Sequence, residues 1–176
     1  IAAYQAFYEH MPLRASVLAN GLRGLGSEGA LRIFDRVDFG RLATFHLLDS
    51  RQYRAAPLCK HAGDTKPGDG CPPDSEMRSM LGREQEAWLD EGFARSRSRG
   101  TQWDVIAQQT CFTPRNYRAG AGRKFSPDLW DGYPAARVRL LSSLERHAPR
   151  NPIFIGGDVH QNWVAHVHRD PYDVKS

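Results

Sequence analysis

Long hydrophobic runs are missing from this 176-residue chain. None approaches the roughly 18–20 apolar residues that a helix needs to cross a bilayer, so no membrane span is predicted. Lysine is scarce, with four among 24 basic residues, and the four are not clustered. The net charge of +4 therefore rests on arginine. A basic balance attracts phosphate-bearing partners, but an Arg-rich coding bias gives the same composition. No nucleic-acid motif, no basic helix and no interleaving of aromatics with basic residues is present, so charge alone points to no nucleic-acid partner. No internal repeat and no signal peptide is visible. The chain opens on Ile1 inside a helical pattern and stops at "YDVKS". We expect a fragment cut at both ends, and the missing signal then says nothing about compartment.

What is there is ordinary for a globular protein: 40% hydrophobic and 25% charged residues. The length suits one domain with a sizeable core, and a single domain is expected over residues 1–176. In "IAAYQAFYEHMPLR", Tyr4, Phe7, Tyr8 and Met11 share one helical face, and Pro12 ends it. Asp38-Phe39-Gly40 reads as the turn of a hairpin. The run from Leu42 to Leu48 is almost continuously apolar, which predicts a strand buried on both faces. Ala55 to Ser75 is a long Gly/Pro-rich loop of the kind that is often functional.

"MLGREQEAWLDEGFARS" predicts a helix with Leu81, Gln85, Trp88, Leu89 and Phe93 on one side. "WDVIAQQ" predicts a short strand, and a second long loop follows. "PAARVRLLSSLERH" predicts a helix with Pro134 near its start and Val138, Leu140, Leu141 and Leu144 in its apolar stripe. "NPIFIGG" is the last strand. The order is helix, hairpin, loop, helix, strand, loop, helix, strand, which predicts an α/β fold.

Three apolar runs end in polar groups. The first ends at Asp49, the second at Gln108 and Gln109, the third at Asp158 and His160. In open α/β sheets the ligand crevice lies at the carboxyl ends of the strands. Gly156 and Gly157 let the backbone bend and allow something to approach closely. In extended chain Asp158 and His160, two apart, fall on one face. A carboxylate with an imidazole suits iron, manganese or zinc, and the carboxylate can bridge to a second ion such as calcium. The bland alternative makes Asp158 a turn cap and His160 a hydrogen-bonded core histidine.

Six segments in order, "AAYQAFYEHMPLR", "FHLLDSRQYR", "MLGREQEAWL", "WDVIAQQ", "WDGYPAAR" and "NPIFIGGDVHQNW", resemble the PhoD-like alkaline phosphatases of the metallophosphatase superfamily. The resemblance covers nearly the whole chain. It implies part of an α/β/β/α metallophosphatase sandwich, two or more metal ions with iron (Fe3+) and calcium (Ca2+) in this group, and hydrolysis of phosphate mono- and diesters at alkaline pH. It also implies a location outside the cytoplasm, secreted or periplasmic, after twin-arginine export. The "GDVH" segment is a metal-ligand segment in the family, so the resemblance carries Asp158 and His160 over as ligands. The family's earlier ligand-bearing strands do not precede Ile1 here, so the chain looks like the carboxyl-terminal half of a catalytic domain. The expected mechanism is in-line attack on phosphorus by a metal-bound hydroxide, with ions about 3.5–4 Å apart. Two rivals are a phospholipase D acting on lipid phosphodiesters and a catalytically incomplete, non-enzymatic fragment.

Other residues admit two readings each. Arg51 suits phosphate oxygens or pins Asp49 through a salt bridge. Asp131 and Tyr133 line the substrate pocket, or Asp131 caps the next helix. Gln108, with Asp49 beside the metal ligands, supports them by hydrogen bonds, or Gln108 is a structural amide. His46, inside an apolar run, reads as a satisfied core histidine. Cys59 and Cys71 flank a flexible loop. A disulfide between them would fit an oxidising location, with a zinc site using His61 as its rival. Cys111 is then left free and buried. The oligomeric state is not legible.

Overall fold

The computed structural model describes residues 6, 7, 9–12, 32–57, 76–117, 119, 126–171, 173 and 175. Cys59, Cys71 and His61 lie outside the described residues, as do Tyr4 and Tyr8 of the opening pattern. Ala6, Phe7, Glu9 and His10 are helical, and Met11 N–H donates to Phe7 O at 3.0 Å.

Four strands form one mixed sheet in the order β1–β2–β3–β4: β1 (Asp35–Phe39), β2 (Ala43–Leu47), β3 (Trp103–Ala107) and β4 (Pro152–Ile155). β1 and β2 make the predicted hairpin, with β1 running through Phe39 and the reversal at Gly40, whose φ of 57° favours glycine. β2, β3 and β4 are mutually parallel. Two helices make the crossovers, α1 (Arg83–Arg99) between β2 and β3 and α2 (Pro134–His147) between β3 and β4. Gly100, left-handed at φ 67°, closes α1, and Pro134 opens α2.

The two helices pack on each other and on one face of the sheet. Register puts Thr44, His46, Asp104, Ile106 and Phe154 on that face. Met80, Leu81, Leu89, Phe93, Ile106 and Trp130 form the heart of the core, each fully or almost fully buried. Each such side chain contributes about 1.5–3 kcal/mol of burial free energy. Phe112 stacks on Phe154 with ring centroids 3.9 Å apart and meets Trp130 edge-on. Between the helices, Arg139 grips Glu86 with two bonds of 2.8 Å, from Nε to Oε2 and from Nη2 to Oε1.

β2 is fully buried on its helix-facing side, while its other side is only partly covered, with Ala43 buried, Phe45 half-buried and Leu47 exposed, which corrects the expectation of a strand buried on both faces. On the opposite face Leu47, Trp103, Ile153 and Ile155 are all more than a third exposed. The run looked doubly buried because the faces of β2 differ in cover, not in hydrophobicity. Helix and sheet thus make two layers, an α/β arrangement. Val138 likewise points outward at 40% exposure, while Arg137 of α2 is buried.

His46 is the core histidine expected. It is fully buried, with Arg36 Nε donating to Nδ1 at 3.2 Å and Nε2 lying 2.8 Å from the carboxylate of buried Asp104. With Nδ1 accepting, Nε2 carries the proton and the ring is neutral. Burial lowers its pKa, and this outweighs the opposing hydrogen bond that Nε2–H donates to Asp104.

Candidate functional site

The carboxyl ends of β2, β3 and β4 lie side by side because the three strands are parallel neighbours. That edge gathers the polar strand ends noted in the sequence. Two glutamines fasten it. Gln85 is buried in α1 and bridges three backbone groups, accepting from Asp49 N at 2.7 Å and donating to Asp49 O at 2.8 Å and Leu81 O at 2.9 Å. Gln109 Oε1 accepts from Ser50 N and Oγ at 2.9 and 2.6 Å, and its Nε2 donates to Leu48 O at 2.6 Å. The backbone after β2 is thereby held from both sides.

Asp49 shapes the turn that follows. Its Oδ1 accepts from Arg51 N at 2.9 Å and Gln52 N at 3.0 Å, and Gln52 Nε2 donates to Oδ2 at 2.5 Å. This is an Asx-type turn, and it aims Arg51 along the edge. The Arg51 guanidinium does not pair with Asp49. Its Nη1 donates to Asp128 Oδ2 at 2.8 Å, and Nη2 stands 3.7 Å from Asp158 Oδ2. Arg54 Nη1 reaches the other Asp128 oxygen at 2.6 Å. Burial opposes ionisation of Asp128, but hydrogen bonds from Arg51 and then Arg54 win and hold its carboxyl below the usual range. Arg54 and Asp128 escaped the sequence reading. Their pairing spans 74 or more residues and has no local signature.

Gln108 acts as a structural amide. Its Oε1 accepts from Thr110 N at 3.0 Å, Thr110 Oγ1 at 3.2 Å and Trp130 Nε1 at 3.1 Å, and its Nε2 donates to Thr110 O. It lies directly beneath Gly156. A Cβ there would sit 2.0 Å from Thr110 O and 2.5 Å from Gln108 Nε2. The close approach foreseen for the two glycines therefore belongs to Gly156 alone. At Gly157 the nearest atom to an added Cβ is Gln109 O at 3.8 Å.

β4 ends at Ile155, so Asp158 and His160 are not in extended chain as the spacing argument assumed. Both have positive φ, 70° and 53°. Val159 N–H donates to Gly157 O at 2.9 Å and closes a three-residue turn centred on Asp158, the γ-turn in its rare, strained form. Asp and His take such angles more readily than most residues. Two within three residues still store strain, which clusters at functional sites. Both side chains are exposed.

Among the described residues no group of three or more His, Cys, Asp and Glu side chains comes together to hold a metal ion. Asp158 and His160 supply one oxygen and one nitrogen donor. The pair fits iron, and the Asp158 carboxylate alone also fits calcium, as members of a larger ligand set.

Tyr133 and Asp131 stand at the turn that leads into α2. Tyr133 is wholly buried, and its hydroxyl donates to Ala55 O at 2.6 Å. Asp131 belongs to the 3-10 turn Trp130–Gly132, and no side chain caps α2. Among the described residues its Oδ2 receives a long contact from Arg115 N at 3.5 Å. Burial pushes its carboxyl up to about 7, against the backbone N–H of Arg115 and the charge of Arg137. Cys111 is free and half-buried rather than buried, with Sγ donating to Thr113 O at 3.3 Å.

A pH prediction follows from Asp131. Its folded pKa of about 7 lies above the ordinary 3.8, so its contribution to stability is whole below 3.8 and is lost as pH rises through about 7. His46 has the opposite sign, being fully stabilising above 6.5 and less so as pH falls through its lowered folded value. The difference between wild type and Asp131→Asn isolates Asp131. Relative to wild type, the variant should gain on the order of 3 kcal/mol between pH 4 and pH 8 in denaturant unfolding. The same difference at both pH values would refute the assignment.

The PhoD-like phosphatase family model matches residues 1–176. This chain belongs to the PhoD-like phosphatase family. It is 38% identical over 174 residues to alkaline phosphatase D of Bacillus subtilis (strain 168), which covers 96% of this chain and 27% of that protein. A solved structure described as "Structure of PhoD" superposes with a TM-score of 0.78 at 37% identity, covering 99% of this chain and 31% of that one. The PhoD-like chain thus spans less than a third of the relatives it matches. Among its described residues no helix is long and apolar enough to cross a membrane.

Proposed function

We propose that this chain is part of a metal-dependent phosphoesterase: the name of its alkaline phosphatase D relative supports the phosphatase activity, while metal dependence and action on both mono- and diesters rest on the family resemblance. The observation that carries the reading is the strained turn holding Asp158 and His160 at the carboxyl edge, with the Arg51 guanidinium 3.7 Å from the Asp158 carboxylate. Asp158 and His160 would hold metal, iron and calcium by family resemblance, with further ligands from other parts of the enzyme. Such ions, when bound, neutralise phosphoryl charge and supply a hydroxide nucleophile at working pH. Arg51 binds phosphoryl oxygens through its planar fork. Asp49, Gln85 and Gln109 keep that fork in place. Secretion or a periplasmic location is proposed on the same resemblance.

The test uses the full-length protein with a nitrophenyl phosphate monoester and a bis-nitrophenyl diester at alkaline pH. Exhaustive chelation is expected to abolish hydrolysis, and iron with calcium to restore it. Activity that survives complete metal removal would sink the metal reading.

A further inference from the structure

Two guanidinium groups converge on one carboxylate beside the ligand turn. Asp128 offers one oxygen to each, Oδ2 to Arg51 Nη1 at 2.8 Å and Oδ1 to Arg54 Nη1 at 2.6 Å. Arg54 Nη1 also lies 3.2 Å from the Asp128 carbonyl. The trio keeps one net positive charge. The second terminal nitrogen of Arg51 faces Asp158, so the spare donor points toward the proposed metal ligands. The arginines are fixed from behind. Asp49 sets the turn that carries Arg51, and Ala55, next to Arg54, is tied to Ser79 O through its N–H and to the Tyr133 hydroxyl through its carbonyl. The Arg51 and Asp128 side chains are 41% and 45% exposed, and an anion from solvent can reach them.

An ion pair this exposed contributes at most about 1 kcal/mol. A phosphoryl group carries more negative charge than a carboxylate and matches the guanidinium fork better. The exchange of one for the other is therefore favourable. We propose that Arg51 and Arg54 form a two-arginine clamp for the phosphoryl oxygens of the ester, and that Asp128 is its resident occupant, displaced from Arg51 when the ester binds. Asp128 is then a positioning residue. It keeps the forks arranged for two oxygens of one anion and sets how tightly a phosphate ester or inorganic phosphate is held. The inference rests on the phosphoesterase reading and adds to it the residues that hold the phosphoryl group.

The experiment compares wild type, Asp128→Asn and Arg54→Gln in the full-length protein. Inorganic phosphate binding is measured by calorimetry, and KM and kcat are measured separately with the nitrophenyl monoester. Asp128→Asn keeps the shape and removes the competing charge. It should tighten inorganic phosphate about fivefold, the fold-change that matches a pair of this exposure, and KM should fall more than kcat moves. Arg54→Gln should weaken phosphate by a similar factor. Phosphate affinity that is unchanged or weaker in Asp128→Asn, with an unaltered melting temperature, overturns the clamp. Failure of the parent reading looks different. A wild-type protein that hydrolyses neither ester loses the phosphoesterase function, while calorimetry still decides whether Asp128 competes with phosphate.

Discussion

Alanine at Asp158 or at His160 in the full-length protein is expected to cut hydrolysis of a nitrophenyl ester at least about 100-fold. Residues that merely support a metal ligand already cost 10–100-fold when removed, and a ligand itself should exceed them. Stability should change far less than activity. Both residues are exposed and hold positive φ, so neither leaves a core cavity when truncated. Asp158→Ala also removes the carboxylate 3.7 Å from Arg51, which is too exposed and too long a contact to hold the fold. The discriminating readout is metal content per protein chain after dialysis, with the melting temperature as control. Full activity in both variants would remove the turn from the chemistry.

The second large effect is expected at Gly156, where fold and site meet. A methyl group there would lie 2.0 Å from Thr110 O, which is backbone and cannot swing away. Relief requires β4 to shift from the end of β3, at the expense of the Gln108 N–H bond to Ile155 O, 3.0 Å long. Overpacking of this kind costs about 1–3 kcal/mol. Because Asp158 stands two residues further on, the shift also moves the proposed ligand, and misplacement by about 1 Å can lower rate about 100-fold. Gly157→Ala is the internal control. Its added methyl group meets nothing closer than 3.8 Å, and its melting temperature and activity should stay close to wild type. Equal behaviour of the two alanine variants would show that the packing against Thr110 is not what shapes the turn.

Much of the architecture was readable before any coordinates. Amphipathic spacing marked α1 and α2, Pro134 marked the start of α2, and the hairpin at Gly40 came from turn chemistry. These signals act over a few residues, within one element, so the chain states them directly. The alignment of Asp49, Gln108 and Asp158 at one edge was also readable, since alternating helices and strands imply parallel neighbours whose carboxyl ends coincide. The face each residue takes was less so. Gln85 stood in an apolar stripe and turned out to be a buried bracket for the Asp49 backbone. Tyr133 read as a pocket residue and is a core side chain with its hydroxyl spent on Ala55.

The sequence by itself determined the family, the order of elements and the strand-end position of the proposed ligands, because local periodicity and ordered motifs carry that information. Only the tertiary structure decided that Arg51 turns from Asp49 to Asp128, that Arg54 joins it, and that Asp158 sits in a strained three-residue turn. Charge pairing across more than 70 residues depends on how loops from different crossovers meet. Strain in a turn depends on the packing that holds it, here Gly156 pressed against Thr110 and Gln108.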